Sequence, residues 1–139
     1  MDNFVSLRFL SLPINVSFAR SVVAAFCVPY DPSIEILNDI RTSISEAVTN
    51  CIVHGYGDDH GYVTINAEVI DKVLTVSIED NGKGIEDLSK ATQDFYSTGE
   101  NERSGLGFTI MRSFMDDMNV ESVLGEGTKV TLVKRLINA

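Results

Sequence analysis

The chain is poor in cysteine, in positive charge and in long apolar runs. Two cysteines, Cys27 and Cys51, are all it has in 139 residues. Both lie in apolar stretches, so two buried thiols in a reducing compartment are expected rather than a disulfide framework. They offer no zinc spacing with His54 or His60. Basic residues number 11 against 20 acidic ones, a net charge of −9. Such a surface repels a phosphate backbone, which argues against a DNA- or RNA-binding role. The longest apolar stretch, Val22 to Val28, is far too short to span a bilayer. Asp2 and Asn3 stand where a secretory leader would carry basic residues. A cytoplasmic location without membrane contact is therefore expected. Repeats and low-complexity segments are absent too. No GxxxxGK[ST] loop, GxGxxG run or GxSxG elbow occurs.

What remains is ordinary for one globular domain, 44% hydrophobic and 22% charged. A chain of this length buries about two-thirds of its surface, enough for one core without staples. A single domain over residues 1–139 is expected. The pattern starts with a strand over Phe4–Leu12, ended by Pro13. A helix over residues 14–28 comes next, its apolar positions Ile14, Phe18, Val22, Ala25 and Phe26. Asp31-Pro32 reads as the start of a long helix, capped by Asp31 and stopped by Gly55. Its stripe is Leu37, Ile40, Ile44, Ala47, Val48 and Cys51. Val63, Ile65, Ala67 and Val69 alternate with polar residues, as do Leu74, Val76 and Ile78, with Asp71-Lys72 as the hairpin turn. Residues 81–104 form a long polar connection, of the kind that is usually functional or mobile. A helix over about 105–118 and strands near Val120–Leu124 and Lys129–Leu136 complete the chain. This order predicts an α+β fold, with helices on one face of a mainly antiparallel sheet.

Three short patterns carry chemistry. Glu46, Asn50 and His54 recur at i, i+4, i+8, along one edge of the long helix and away from its apolar stripe. A carboxylate and an amide one turn apart can share a hard cation, or divide metal holding from proton acceptance. Asp80-Asn81-Gly82-Lys83-Gly84 comes directly after a strand. Its glycines permit close backbone approach to a flat ligand, and an ionised Asp80 only accepts, which suits an exocyclic amine such as adenine's. Arg103-Ser104-Gly105-Leu106-Gly107-Phe108 opens a helix. Free amides and the positive helix end make it an anion site, with Arg103 adding a cation. Taken singly, these are also a solvated helix face, a turn and a flexible helix entry. Gly125-Glu126-Gly127-Thr128 is a hairpin turn by itself.

Their order and spacing together resemble the ATP-binding boxes of the GHKL superfamily, which has a two-layer α/β sandwich of the Bergerat type. Ser45-Glu46-Ala47-Val48-Thr49-Asn50 with His54-Gly55-Tyr56, and Glu102 through Met111 continuing to Phe114-Met115-Asp116, are similar to the bacterial anti-sigma factor serine kinases. The short chain and Ser17-Phe18-Ala19-Arg20 are most similar to the sporulation anti-sigma-F branch. The resemblance spans roughly residues 4–135. It implies that Asp80 holds the adenine amine with Thr128 in support, while Gly82 and Gly84 admit the base. It implies that Asn50 ligates Mg²⁺, that Ser104, Gly105, Leu106 and Gly107 bind phosphate, and that Arg103 reaches the γ-phosphate. Residues 88–104 would be a mobile lid. Glu46 would be the general base toward a partner's serine, and Arg20 a partner contact. The implied cofactors are ATP or ADP with Mg²⁺. The implied partners are a sigma factor of the sigma-F type and an anti-anti-sigma factor as substrate, with the chain itself a homodimer. Cys51 stands where relatives often have alanine. The lid has no lysine between Lys90 and Arg103, where some relatives carry one. That departure favours an alternative, a nucleotide-gated anti-sigma binding protein without useful turnover. A general-stress anti-sigma kinase shares the same biochemistry. A detached histidine-kinase domain fits worse, because neither His54 nor His60 sits as a phosphoacceptor.

Overall fold

The computed structural model describes residues 1–88 and 102–137; for 102–105 only the helical course of the backbone is described. The chain runs β1 (Asn3–Leu10), α1 (Asn15–Cys27), a 3₁₀ turn (Val28–Tyr30), α2 (Ile34–Asn50), a π-helical turn (Cys51–Tyr56), β2 (Tyr62–Ile70), β3 (Val73–Asp80), α3 (Glu102–Phe114), β4 (Asp117–Val123) and β5 (Gly127–Arg135). The five strands form one antiparallel sheet in the order β1-β2-β3-β5-β4. The α+β reading holds.

The sheet arises from period-2 patterning. Val63, Ile65, Ala67 and Val69 of β2 and Leu74, Val76 and Ile78 of β3 are all buried, while their neighbours face outward. Asp71 and Lys72 both have positive φ, 52° and 63°, as a two-residue hairpin with right-handed strand twist requires. Val130 and Leu132 of β5 extend the same apolar face. Ile36, Ile40, Ile44, Ala47 and Val48 of α2 and Phe108 and Met111 of α3 close the core over it.

Several boundaries differ from expectation. The long helix is capped by Ser33, whose hydroxyl accepts from the Ile36 amide at 3.2 Å. Asp31 instead takes a left-handed conformation, φ 57°, that ends the preceding 3₁₀ turn. Helix α1 buries Ala19, Val23, Ala24 and Cys27, not the stripe expected. Phe18 is half exposed and Ile14 and Ala25 are exposed. Its sequence is apolar on more than one side, so periodicity does not select a face. Helix α3 starts at Glu102 and ends at Phe114, earlier than expected at both ends. Lys134 fixes that end by donating to the Phe114 carbonyl at 2.5 Å and pairing with Asp39 of α2 at 3.2 Å.

Gly55 does not stop the long helix. The helix widens into the π turn, where the Gly57 amide donates to the Ile52 carbonyl at 3.0 Å, five residues back. Gly57, φ 60°, is the terminating residue. His54 lies inside this turn, so straight-helix spacing no longer aligns it with Glu46 and Asn50.

Candidate functional site

Asp80 ends β3 and is only 4% exposed. Its Oδ1 accepts from the Gly82 amide at 2.9 Å. Burial pushes its carboxyl above the ordinary value of 3.8, and the Gly82 amide, the Cys51 thiol and the Thr128 backbone pull it back. Burying a carboxylate is costly without donors. A ligand amine would add one where the chain supplies few.

Close approach explains the glycines around it. A Cβ on Gly55 would stand 2.8–3.0 Å from the Asp80 carboxylate, and one on Gly82 would overlap the Gly55 carbonyl. The π turn and the Asp80 turn thus touch backbone to backbone, joined by the Lys83 amide donating to the Gly55 carbonyl at 2.9 Å. Gly127 faces Asp80 from β5 at φ +126°, where a side chain would overlap the Asp80 carbonyl. A Cβ on Gly84 would meet the Val123 carbonyl.

Thr128 pairs directly with Asp80 in the β3–β5 register. Its hydroxyl lies 2.8 Å from Ser122 Oγ. Ser122 donates its one proton to the Gly127 carbonyl at 2.9 Å and accepts from the Ile85 amide at 2.8 Å. Thr128 is then the donor to Ser122, which leaves its lone pairs for a ligand or a water.

The second half of the site sits between α2 and α3. A Cβ on Gly107 would lie 3.2 Å from Glu46 Oε2, 3.2 Å from Asn50 Nδ2 and 3.3 Å from Asn50 Oδ1. Glu46 and Asn50 therefore converge on Gly107. That residue stands past the first turn of α3, so what it offers is room rather than a free amide. Both polar atoms of the Asn50 side chain are buried with no hydrogen-bond partner among the described residues. An amide in that state is costly unless something absent here completes it. A cation and its phosphate ligand fit that requirement. Among the described residues no cluster of His, Cys, Asp and Glu could hold a metal without outside ligands. Mg²⁺ needs none, since it keeps waters and takes substrate phosphates beside one or two protein oxygens.

The structure thus brings Asp80, Gly82, Gly84 and Thr128 together at the sheet end, and Glu46, Asn50 and Gly107 together between the helices. Leu106 lies beside the latter on α3 and is 46% exposed. Arg103, Ser104 and Gly105 are placed only as the first turn of α3, and residues 89–101 of the expected lid lie outside the described residues. Arg20 is apart, on α1, donating to Ser45 Oγ at 3.3 Å and Ser17 Oγ at 3.2 Å. Sequence reasoning assigns no role to Ser122 or to Tyr56. Ser122 carries no local signal. Tyr56 sat in plain view after Gly55, but only the π turn reveals where it points.

Fold and site define an ATP-binding domain of the GHKL type. The sequence pattern of the histidine kinase-like ATPase domain matches residues 9–134. The chain is 51% identical to an anti-sigma F factor of Caldanaerobacter subterraneus subsp. tengcongensis, over 96% of this chain and 94% of that one. It is 46% identical to an anti-sigma F factor of Clostridium acetobutylicum, over 97% and 95%. Among solved structures, the RsbU and RsbW domains of a Mycobacterium tuberculosis protein superpose with a TM-score of 0.70 at 18% identity, over 99% of this chain. The chain spans about a third of that longer one, 33%. The chain belongs to the histidine kinase-like ATPase domain family and, within it, to the anti-sigma F factors. No helix among the described residues is long and apolar enough to cross a membrane.

Proposed function

We propose that the chain is a serine protein kinase that uses Mg·ATP to phosphorylate an anti-anti-sigma factor. In the same reading it sequesters a sigma factor of the sigma-F type, with nucleotide state choosing the partner. The observation that carries the reading is the convergence of Glu46 and the unpartnered Asn50 on Gly107. It puts a carboxylate and a metal-competent amide where phosphate would enter beside α3.

Asp80 accepts the adenine amine, and Thr128 supports it directly or through water. The glycines at 55, 82 and 127 let the neighbouring backbones pack directly around Asp80. Asn50 would hold Mg²⁺, which would supply positive charge to neutralise the phosphates. Glu46 takes the proton from the attacking serine hydroxyl. The resemblance assigns the γ-phosphate to Arg103 and phosphate binding to Ser104, Gly105 and Leu106 at the start of α3. Phosphoryl transfer relies mainly on positioning and charge stabilisation, so this short set of groups suffices. The net charge of −9 is no obstacle, because screening acts over about 8 Å and local donors decide. Arg20 is the partner contact: two serines hold its guanidinium at the surface and leave donors unspent. We read residues 1–139 as one domain with a lid at 88–104, acting as a homodimer in the cytoplasm.

Incubation with γ-labelled Mg·ATP and the candidate anti-anti-sigma factor tests this. Label on a partner serine is expected. Bound nucleotide without any labelled product would leave a nucleotide-gated binding protein, the second reading, which the lysine-free lid favours.

A further inference from the structure

No step of the phosphotransfer uses Tyr56, yet its side chain is tied into the adenine end of the site. Its hydroxyl accepts from the Asn81 amide at 2.8 Å and donates to the Tyr62 carbonyl at 2.6 Å. Asn81 lies between Asp80 and Gly82, inside the turn closed by the Gly82 amide on the Asp80 carboxylate. Tyr62 is the first residue of β2, next to Val63, which pairs with Asp80. One phenol group therefore spans the gap between the Asp80 turn and the start of the neighbouring strand.

Two features fix the phenol there. Its ring lies on Gly61, where any Cβ would overlap the ring carbons. The π turn sets its direction: one extra residue in the turn rotates the residues beyond it by about 100° relative to a continued α-helix. Gly55 then faces the Asp80 carboxylate and Tyr56 faces the Asn81 amide. Burial raises the Tyr56 hydroxyl above its ordinary 10, so it keeps its proton at neutral pH and remains a donor to Tyr62.

We infer that Tyr56 is a positioning residue for nucleobase recognition, holding the Asp80 turn so that its carboxylate meets the exocyclic amine of adenine. It touches no reacting atom and acts through Asn81 and Asp80. This rests on the reading that Asp80 binds the amine. Without the hydroxyl, the Asn81 amide and the Tyr62 carbonyl lose a shared partner, and the turn that carries the carboxylate loses its anchor to β2 while keeping the Gly82 bond.

The test compares binding of ATP with that of purine riboside triphosphate, which lacks the exocyclic amine. Wild type is expected to favour ATP by about tenfold or more, the size of one charge-assisted hydrogen bond. Tyr56→Phe keeps the ring on Gly61 and removes only the hydroxyl. It is expected to bring the ratio to within about threefold, by weakening ATP while the analogue binds as before. Gly61→Ala, which displaces the ring, is expected to act the same way. Simple destabilisation would weaken both ligands alike and leave the ratio unchanged. A wild-type ratio near one would refute the role of Asp80 itself. A large wild-type ratio that Tyr56→Phe retains would overturn the role of Tyr56. Amide exchange on the wild type gives an independent reading: the Asn81 N–H is expected to be protected, and exchange at the rate of a free amide would also overturn the inference.

Discussion

Replacing Asp80 with Asn separates two consequences of one buried carboxylate. Asn keeps an acceptor oxygen for the Gly82 amide and nearly the same shape, but removes the charge. The bond to a ligand amine then changes from charge-assisted to neutral, and the amide nitrogen can turn a donor toward another donor. Hydrogen bonds to charged groups contribute about 1.5–3 kcal/mol, so affinity for ADP should fall about 10- to 100-fold. Stability should move the other way. Burial raises the folded-state carboxyl above its unfolded value of 3.8. Between the two values the native state binds a proton that the unfolded chain does not, so this group lowers stability as pH rises through that window. Above the window the cost is complete. At pH 7 the Asn variant escapes it and should melt at or above wild type without nucleotide, the difference shrinking as pH falls toward 4. Calorimetric titration with ADP and thermal melts at pH 7 and pH 4.5 supply the assay. A variant that binds ADP as tightly as wild type would refute the placement of adenine on Asp80. One that melts well below wild type would refute the accounting of its burial.

The same logic applies to Asn50, whose buried amide has no partner among the described residues. Asn50→Leu should raise the apo melting temperature, by relief of about 1–3 kcal/mol, while abolishing the further rise on adding Mg·ADP; an unchanged Mg²⁺ response would remove Asn50 from the site. Neither thiol should react in the native state at pH 8, because burial pushes Cys27 up to about 12 and raises Cys51 beside Asp80. Rapid labelling of either by a thiol reagent would contradict that burial. Ser33→Ala should cost about 1 kcal/mol by chemical denaturation through loss of the α2 cap, whereas Asp31→Ala should not act through capping.

The sheet was legible in the sequence because strand patterning has a short period and one buried face. Val63 to Val69 and Leu74 to Ile78 each declare that face in four or three residues. The stripe of α2 was legible for the same reason, and it placed Glu46 on the open side. Helix α1 was not, since Ile14, Phe18 and Ala25 are as apolar as the residues it buries. The cap of α2 was misplaced by two residues because Asp31-Pro32 and Ser33 are both good starting chemistry, and tertiary packing decides between them. The π turn left no periodic trace. Its cause is long-range: Gly55 must lie against the Asp80 carboxylate and the Gly82 backbone, contacts more than 20 residues distant in sequence. The glycines and carboxylates of the site were visible one by one. Their convergence came from the resemblance and from the fold, since spacing along a chain does not say which turns meet.

The most direct test of the account is single-turnover phosphotransfer by Glu46→Gln from γ-labelled Mg·ATP to the anti-anti-sigma serine, with nucleotide affinity measured on the same sample. Glu46 lies beside Gly107 and Asn50 and is proposed to accept the proton, so transfer should fall by about 10²- to 10⁴-fold while ATP affinity stays within about threefold. Transfer at the wild-type rate, with ATP bound equally well, would contradict the assignment of Glu46 as the base and with it the proposed mechanism.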